Sequence, residues 1–160
     1  MNWRIGLGYD VHPLAKDLPL ILGGVKIPYT LGLAGYSDAD VLTHAIIDAL
    51  LGAASLGDIG SHFPAGDPRF KGISSLLLLK ETISMLEKAG YLIGNIDSVI
   101  VAEKPRFTPY IPEMRKKLAE TLHAPETAVS VKATTTEKLG FTGREEGIAV
   151  HAVALIQTKQ

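Results

Sequence analysis

The segment Gly147–Thr158, GIAVHAVALIQT, constrains the fold most. Ile148, Val150, Ala152, Ala154 and Ile156 alternate with Ala149, His151, Val153 and Leu155, so an extended chain here is largely apolar on both faces. Such a strand has to be flanked and covered, which predicts a central strand of a sheet. Further strand patterns run over residues 3–9, 20–22, 25–27, 96–102 and 129–133, with Gly23-Gly24 as a turn between the second and third. Helical patterns run over residues 38–56, 74–89 and 109–122. Ser37 and Asp40 read as a capping box at the start of the first, and Gly90 reads as the stop of the second. Strands and helices interleave, so the expected class is α/β or α+β. We expect a mixed four- to five-stranded sheet with helices packed on one face. At 160 residues, one domain over 1–160 is expected.

Composition narrows the chemistry. The net charge of −1 gives no electrostatic footprint for nucleic acid or an anionic membrane surface. No apolar run is long enough for a membrane helix, and MNWRIGLGYD lacks the apolar stretch of a signal peptide, so the expected address is cytoplasmic. With no cysteine, disulfides and thiolate metal sites are excluded, and any metal must be held by His, Asp or Glu.

Three stretches carry candidate chemistry. In GYDVHPL, Asp10 and His12 are two apart, so on a strand they project together while Val11 turns the other way into apolar packing. A carboxylate beside an imidazole suits a divalent metal, and it equally suits a plain hydrogen-bonded pair. In SDADVLTHAIIDALLGAASLGD, Asp40, His44 and Asp48 recur every four residues on a mostly apolar helix. That line is either its solvent face or a buried polar set in need of partners. Asp10, His12 and His44 together make a two-His, one-carboxylate set with a fourth position open, and Asp48 is placed to orient an imidazole. His62, His123 and His151 read as structural or surface residues.

The second stretch, VKATTTEKLGFTGREEG, sets three threonines at a strand-to-helix junction. Thr134 and Glu137 match a capping box, yet the hydroxyls and free N–H groups also suit phosphate, and a carboxylate there suits magnesium. The third, AEKPRFTPYIP, is either an ordinary connection or a backbone surface able to read a base edge. Residues 60–72, with two prolines and three glycines, read as a mobile loop able to close over a ligand.

Taken together, GYDVH, SDADVLTHAIIDALLGAASLGDIG, HFP…DP.FKG and VKATTTEKLGFTGREEGIA resemble the 2-C-methyl-D-erythritol 2,4-cyclodiphosphate synthase family of the non-mevalonate isoprenoid pathway, in order and over nearly the whole chain. The resemblance implies a homotrimer with active sites between subunits. It also implies a metal-dependent intramolecular phosphoryl transfer that releases CMP from a cytidine diphosphate-linked substrate. Asp10, His12 and His44 would ligate zinc, and Glu137 would hold magnesium or manganese. Substrate contacts would come from Asp10, Val11, His12, Tyr36 and Ser37, and from Asp58, Ile59 and Gly60. Phe63, Pro64, Ala65, Gly66 and Asp67 would close over the methylerythritol part. Ala102, Glu103, Lys104, Pro105, Arg106, Phe107 and Thr108, with Ala133, Thr134, Thr135, Thr136 and Glu137, would surround the cytidine and its phosphates. Phe141 and Arg144 would lie near the trimer axis, where an isoprenoid diphosphate can sit. Transition-state stabilisation would fall to Thr135 and to the residue before Ser37. The family commonly has histidine at that position, and this chain has Tyr36, which offers a hydroxyl but no imidazolium charge.

Overall fold

The computed structural model describes residues 2–159. A five-stranded sheet in the order β4-β1-β7-β5-β6 is built from β1 (Trp3–Lys16), β4 (Leu31–Leu33), β5 (Tyr91–Val101), β6 (Val129–Thr134) and β7 (Gly147–Thr158). β5 and β6 pair in parallel; the other neighbours are antiparallel, so the sheet is mixed. A separate hairpin joins β2 (Leu20–Leu22) to β3 (Val25–Ile27) through Gly23 and Gly24. Their φ values of 56° and 72° suit the turn that a two-residue hairpin needs. The longer helices are α1 (Val41–Ala53), α3 (Ser75–Lys88) and α4 (Ile111–Leu122), with short α2 (Ile59–His62) and α5 (Gly140–Gly143) between elements.

β7 is central, as its apolar pattern predicts. Its two faces differ, however. Ile148, Val150, Ala152, Ala154 and Ile156 are buried under the helices, whereas His151 and Val153 are exposed. The same division runs along β1, where Ile5, Leu7, Tyr9 and Val11 are exposed, Ile5 and Leu7 by 73% and 71%. Val11 therefore does turn away from Asp10 and His12, but onto an open apolar sheet face instead of into core packing. The helices occupy the other face: α1 lies on β1 and β7, and α3 packs on α1 and α4.

The approach of α1 to β1 is unusually close. A Cβ on Gly8 would lie 1.8 Å from the Ala45 carbonyl oxygen, and one on Gly6 2.0 Å from that of Ala49. Only glycine fits at either position, and the absent side chains bring the helix axis down onto the strand backbone.

Several boundaries differ from the sequence pattern for identifiable reasons. β1 runs to Lys16, well past residue 9, because it pairs with β7 up to Pro13 and then with β4. α1 begins at Val41 because Ala39 is left-handed at φ 57°, and it ends at Ala53 before Ser55 at φ 58°. Asp40, not Ser37, is the N-cap. Its fully buried carboxylate accepts bonds from Thr43 N, Thr43 Oγ1, Gly23 N and Gly24 N at 2.7–3.0 Å, tying the hairpin turn to the helix start. Burial pushes this carboxyl up in pKa, with the bonds from Thr43 and Gly24 pulling against it. No helix starts at Thr134; Glu137 and Lys138 take φ of 52° and 64°, and α5 begins later, at Gly140. Residues 60–72 contain all of α2 but its first residue, and a 3-10 turn at Pro68–Phe70, capped by Asp58 and Asp67.

Because the clash at Gly8 is with backbone, Gly8→Ala is expected to cost about 3 kcal/mol or more in unfolding free energy, the upper end of the overpacking range. Chemical denaturation checks this, and an unchanged midpoint contradicts so tight an approach.

Candidate metal centre

Three side chains converge above the strand that the glycines leave bare. β1 projects Asp10 and His12 toward α1, and His44 descends from the first turn of that helix. Asp10 Oδ2 lies 3.0 Å from His12 Nε2 and 3.1 Å from His44 Nδ1, and the two nitrogens are 3.2 Å apart. Gly35 makes room for this ring, since a Cβ there would lie 2.9 Å from His12 Cε1.

The outer ring atoms assign the tautomers. His12 Nδ1 lies 2.8 Å from the Ala34 carbonyl and donates to it, which leaves the Nε2 lone pair facing inward. His44 Nε2 lies 2.8 Å from Ser75 Oγ and 3.1 Å from Ser37 Oγ. The Ser75 hydroxyl is engaged by the Asp38 carboxylate, an obligate acceptor, so Ser75 accepts from His44 and the Nδ1 lone pair also faces inward. Two lone pairs and a carboxylate oxygen thus point at one another with no proton from their own neutral forms to join them. A cation resolves that repulsion. Ligands on a tetrahedral ion with bonds of about 2.0–2.1 Å stand roughly 3.3 Å apart, close to the separations here. The donor set fits a divalent metal, and Asp10, His12 and His44 form the metal-capable cluster among the described residues.

Charge follows the same geometry. Burial works to raise the Asp10 carboxyl, but hydrogen bonds and charge from His12 and His44 outweigh it and lower the pKa to about 2. Burial works to lower His12, but the Asp10 bond and charge raise it above its ordinary value. Without a metal, a proton on His12 takes the cation's place.

A cleft of about 240 Å³ opens beside the centre, lined by Tyr36, Ser37, Ile59, Gly60, Phe63 and Ala65 together with Phe70 and Leu78. Phe63 meets Phe70 edge-on at 5.5 Å between centroids. A second cleft of about 300 Å³ is lined by Ala102, Glu103, Pro105, Arg106, Phe107, Thr108, Ala133, Thr134 and Thr135. No residue lines both. Glu103 also reaches back, its Oε1 accepting Thr136 N at 3.2 Å and Lys138 N at 3.0 Å, so it supports the turn that carries Glu137.

The remaining expected site residues line neither cleft. Val11 is on the open sheet face. Asp58 caps α2 through Ser61 N, and Asp67 binds Arg69 through both oxygens. Pro64 and Gly66 are exposed beside them. Lys104 pairs with Glu145, and Arg144 with Glu146. Thr136 Oγ1 bonds the Leu139 carbonyl, while Glu137 and Phe141 are exposed. Asp48 touches neither imidazole: it accepts Ile59 N at 2.8 Å and anchors the entry to α2. The outer partners of the histidines are Ala34, Ser37 and Ser75. Ser75 could not be found from spacing, because it arrives from α3, thirty-one positions away from His44.

The sequence profile described as the YgbB family matches residues 3–157. The chain belongs to this family. It is 59% identical over 155 residues to a 2-C-methyl-D-erythritol 2,4-cyclodiphosphate synthase of Syntrophobacter fumaroxidans, covering 97% of this chain and 98% of that protein. With the protein of the same name from Parabacteroides distasonis it shares 57% over 157 residues, covering 98% of each. Among solved structures, the fold superposes on the bifunctional IspDF of Campylobacter jejuni with a TM-score of 0.95 at 43% identity, covering 98% of this chain and 42% of that longer one. It superposes on IspF of Plasmodium falciparum in its CDP complex with a TM-score of 0.87 at 33% identity, covering 99% of this chain and 98% of that one.

In metal-stripped protein, the depressed Asp10 stabilises the fold above its unfolded pKa of 3.8, an effect lost as pH falls toward about 2. The raised His12 stabilises fully below its unfolded value of 6.5, an effect lost as pH rises through the folded one. Thermal unfolding of the stripped protein should therefore give a higher midpoint at pH 6 than at pH 9, and His12→Ala should remove that difference. A parent and variant with the same pH dependence would show that the pair is not coupled.

Proposed function

We propose that this chain, over residues 1–160, is a single-domain, metal-dependent cyclodiphosphate synthase of non-mevalonate isoprenoid biosynthesis. It converts 4-diphosphocytidyl-2-C-methyl-D-erythritol 2-phosphate to 2-C-methyl-D-erythritol 2,4-cyclodiphosphate and CMP. The observation that carries this reading is the convergence of Asp10, His12 and His44 in a chain 59% identical to a synthase along its length.

In this reading Asp10, His12 and His44 hold zinc, and Glu137 holds magnesium or manganese. When bound, these cations supply positive charge to the two phosphoryl groups of the diphosphate. The chain's own groups align the reactants. An oxygen of the 2-phosphate attacks the β-phosphorus, the bond from that phosphorus to the bridging oxygen breaks, and CMP leaves with the electron pair. Such a transfer needs alignment and charge neutralisation, with no covalent nucleophile from the protein. Tyr36 and Ser37 line the metal cleft, and in this reading their hydroxyls donate to phosphate oxygens, as that of Thr135 does from the second cleft. Ile59 and Gly60 meet the methylerythritol part beside Asp58. Residues 63–67 limit water access, which favours attack by the internal phosphate over hydrolysis.

The second cleft receives the cytidine and its phosphate, with backbone groups of residues 102–108 reading the base. A CDP-bound relative of the same fold supports a cytidine-linked ligand. Because the two clefts share no residue in one chain, a neighbouring copy completes the site. The exposed apolar stripe of Ile5, Leu7 and Val153 is the face through which three copies associate. Phe141 and Arg144 then lie toward the axis, within reach of an isoprenoid diphosphate. Among the described residues no helix is long and apolar enough to cross a membrane.

Incubation with the cytidyl diphosphate substrate, zinc and magnesium, with products resolved by mass, tests the reading. CMP with the cyclic diphosphate is expected; a linear product identifies a hydrolase, and intact substrate a binding protein without turnover. Tyr36→His should add a limb to the pH–rate profile near the ordinary histidine pKa of about 6.5. An unchanged profile contradicts a role for this position beside the phosphates. Leu7→Glu, 71% exposed in the single chain, should leave the fold intact but yield monomers without turnover, measured by light scattering and product assay. An active monomer rules out the shared site.

A further inference from the structure

Resting on the metal reading above, we propose that Asp38 and Ser75 act as positioning residues for the metal, through a two-step relay that fixes which nitrogen of His44 faces it. Neither residue is one of the three inward-facing ligands or lines the cleft beside them. Ser75 is fully buried at the start of α3, and its hydroxyl sits between two groups of different character. On one side is the Asp38 carboxylate, whose Oδ1 takes the hydroxyl proton in a short bond and whose Oδ2 accepts the Ser75 backbone N–H at 3.0 Å. On the other is His44 Nε2, 2.8 Å away.

The direction of the relay follows from donor and acceptor capacity alone. A carboxylate only accepts, so the single proton of the Ser75 hydroxyl points to Asp38. Its oxygen then offers lone pairs to His44, which must bring a proton on Nε2. The remaining lone pair of the ring lies on Nδ1, the atom directed at Asp10 Oδ2 and His12 Nε2. Turned the other way, the hydroxyl would donate to Nε2, move the ring proton to Nδ1 and place an N–H where a metal bond belongs. The charge on Asp38 is what prevents this.

Asp38 is itself held by the backbone. Its N–H donates to the Ile73 carbonyl at 3.0 Å, and its Oδ1 accepts Asp40 N at 3.2 Å. The relay thereby couples the start of α3 to a ligand carried by α1. Ser37 Oγ, 3.1 Å from Nε2, is a second acceptor for the same proton, so the loss of Ser75 should weaken the centre without abolishing it. His12 is oriented differently, by the Ala34 backbone carbonyl, which no side-chain substitution removes.

The test uses the full chain stripped of metal and titrated with zinc against a chromophoric chelator, alongside long-range proton–nitrogen spectra of the histidine rings. Ser75→Ala keeps the backbone N–H to Asp38 and removes only the hydroxyl. It should weaken zinc binding by about 10- to 100-fold, the usual cost of losing a ligand's outer partner. Asp38→Asn keeps an oxygen for the Ser75 N–H but frees the hydroxyl to turn, and should weaken binding in the same range. In the stripped parent, with the ring neutral, His44 should carry its proton on Nε2, and Asp38→Asn should shift population to the other tautomer. A helix-anchoring role alone would not move that signature. Zinc affinities within twofold of the parent in both variants, or a parent His44 protonated on Nδ1, overturn the relay. If Ser75→Ala does not fold, Asp38→Asn and the parent tautomer decide. A parent that binds no zinc overturns the metal reading itself, while its His44 tautomer still decides the relay.

Discussion

Everything at the candidate site depends on how closely α1 lies on β1. Gly6 and Gly8 have no Cβ, and the helix backbone occupies the space where one would be, 1.8–2.0 Å from carbonyl oxygens of Ala45 and Ala49. His44 hangs from the first turn of that helix, and Asp10 and His12 follow Gly8 on the same strand face. A larger residue at either glycine lifts the helix, and the lift is transmitted to the distance between His44 and the pair below it. Asp40 fixes the remaining freedom. By capping α1 and binding the Gly23–Gly24 turn with one carboxylate, it sets where the helix begins and hence which residue stands over the strand.

The resulting centre is an arrangement of acceptors in want of a cation, built on rigid elements. Each imidazole spends its outer nitrogen on a carbonyl or a serine and turns its lone pair inward. The arrangement is preorganised, so binding a metal requires little reordering. Apart from the cleft beside this centre, a second cleft is built by Ala102, Glu103, residues 105–108 and residues 133–135, and no residue lines both. An enzyme that works by alignment has to bring the two together, and the proposed association of copies rests on the open apolar face of β1 and β7.

Much of this was legible in the sequence, and what was not has physical causes. The central position of β7 followed from its two apolar faces, and the pairing of Asp10 with His12 followed from the two-residue period of a strand. The Gly23-Gly24 hairpin followed from its turn chemistry. The helix start was misplaced because Ser37 and Asp40 satisfy the capping pattern, whereas the left-handed Ala39 that breaks it leaves no mark in composition. Asp40 and Asp48 share the spacing of His44, yet they bind backbone groups of the hairpin and of α2, contacts that form only once the chain has folded. The apolar side of β1 and β7 reads as core in a single chain's sequence, but in the chain itself it is surface. Asp38 and Ser75 lie on separate segments, and no local pattern links them to His44.

Anomalous diffraction at the zinc edge, from crystals grown with zinc and CDP, is the most direct measurement of whether these elements form one metal-dependent site. The expected result is a single peak per chain within bonding distance of Asp10 Oδ2, His12 Nε2 and His44 Nδ1. A CDP phosphate oxygen should be the fourth ligand, and the base should sit in the residue 102–108 cleft of a neighbouring copy. A peak elsewhere, ligation through His44 Nε2, or a base bound without contact to a second chain would contradict it.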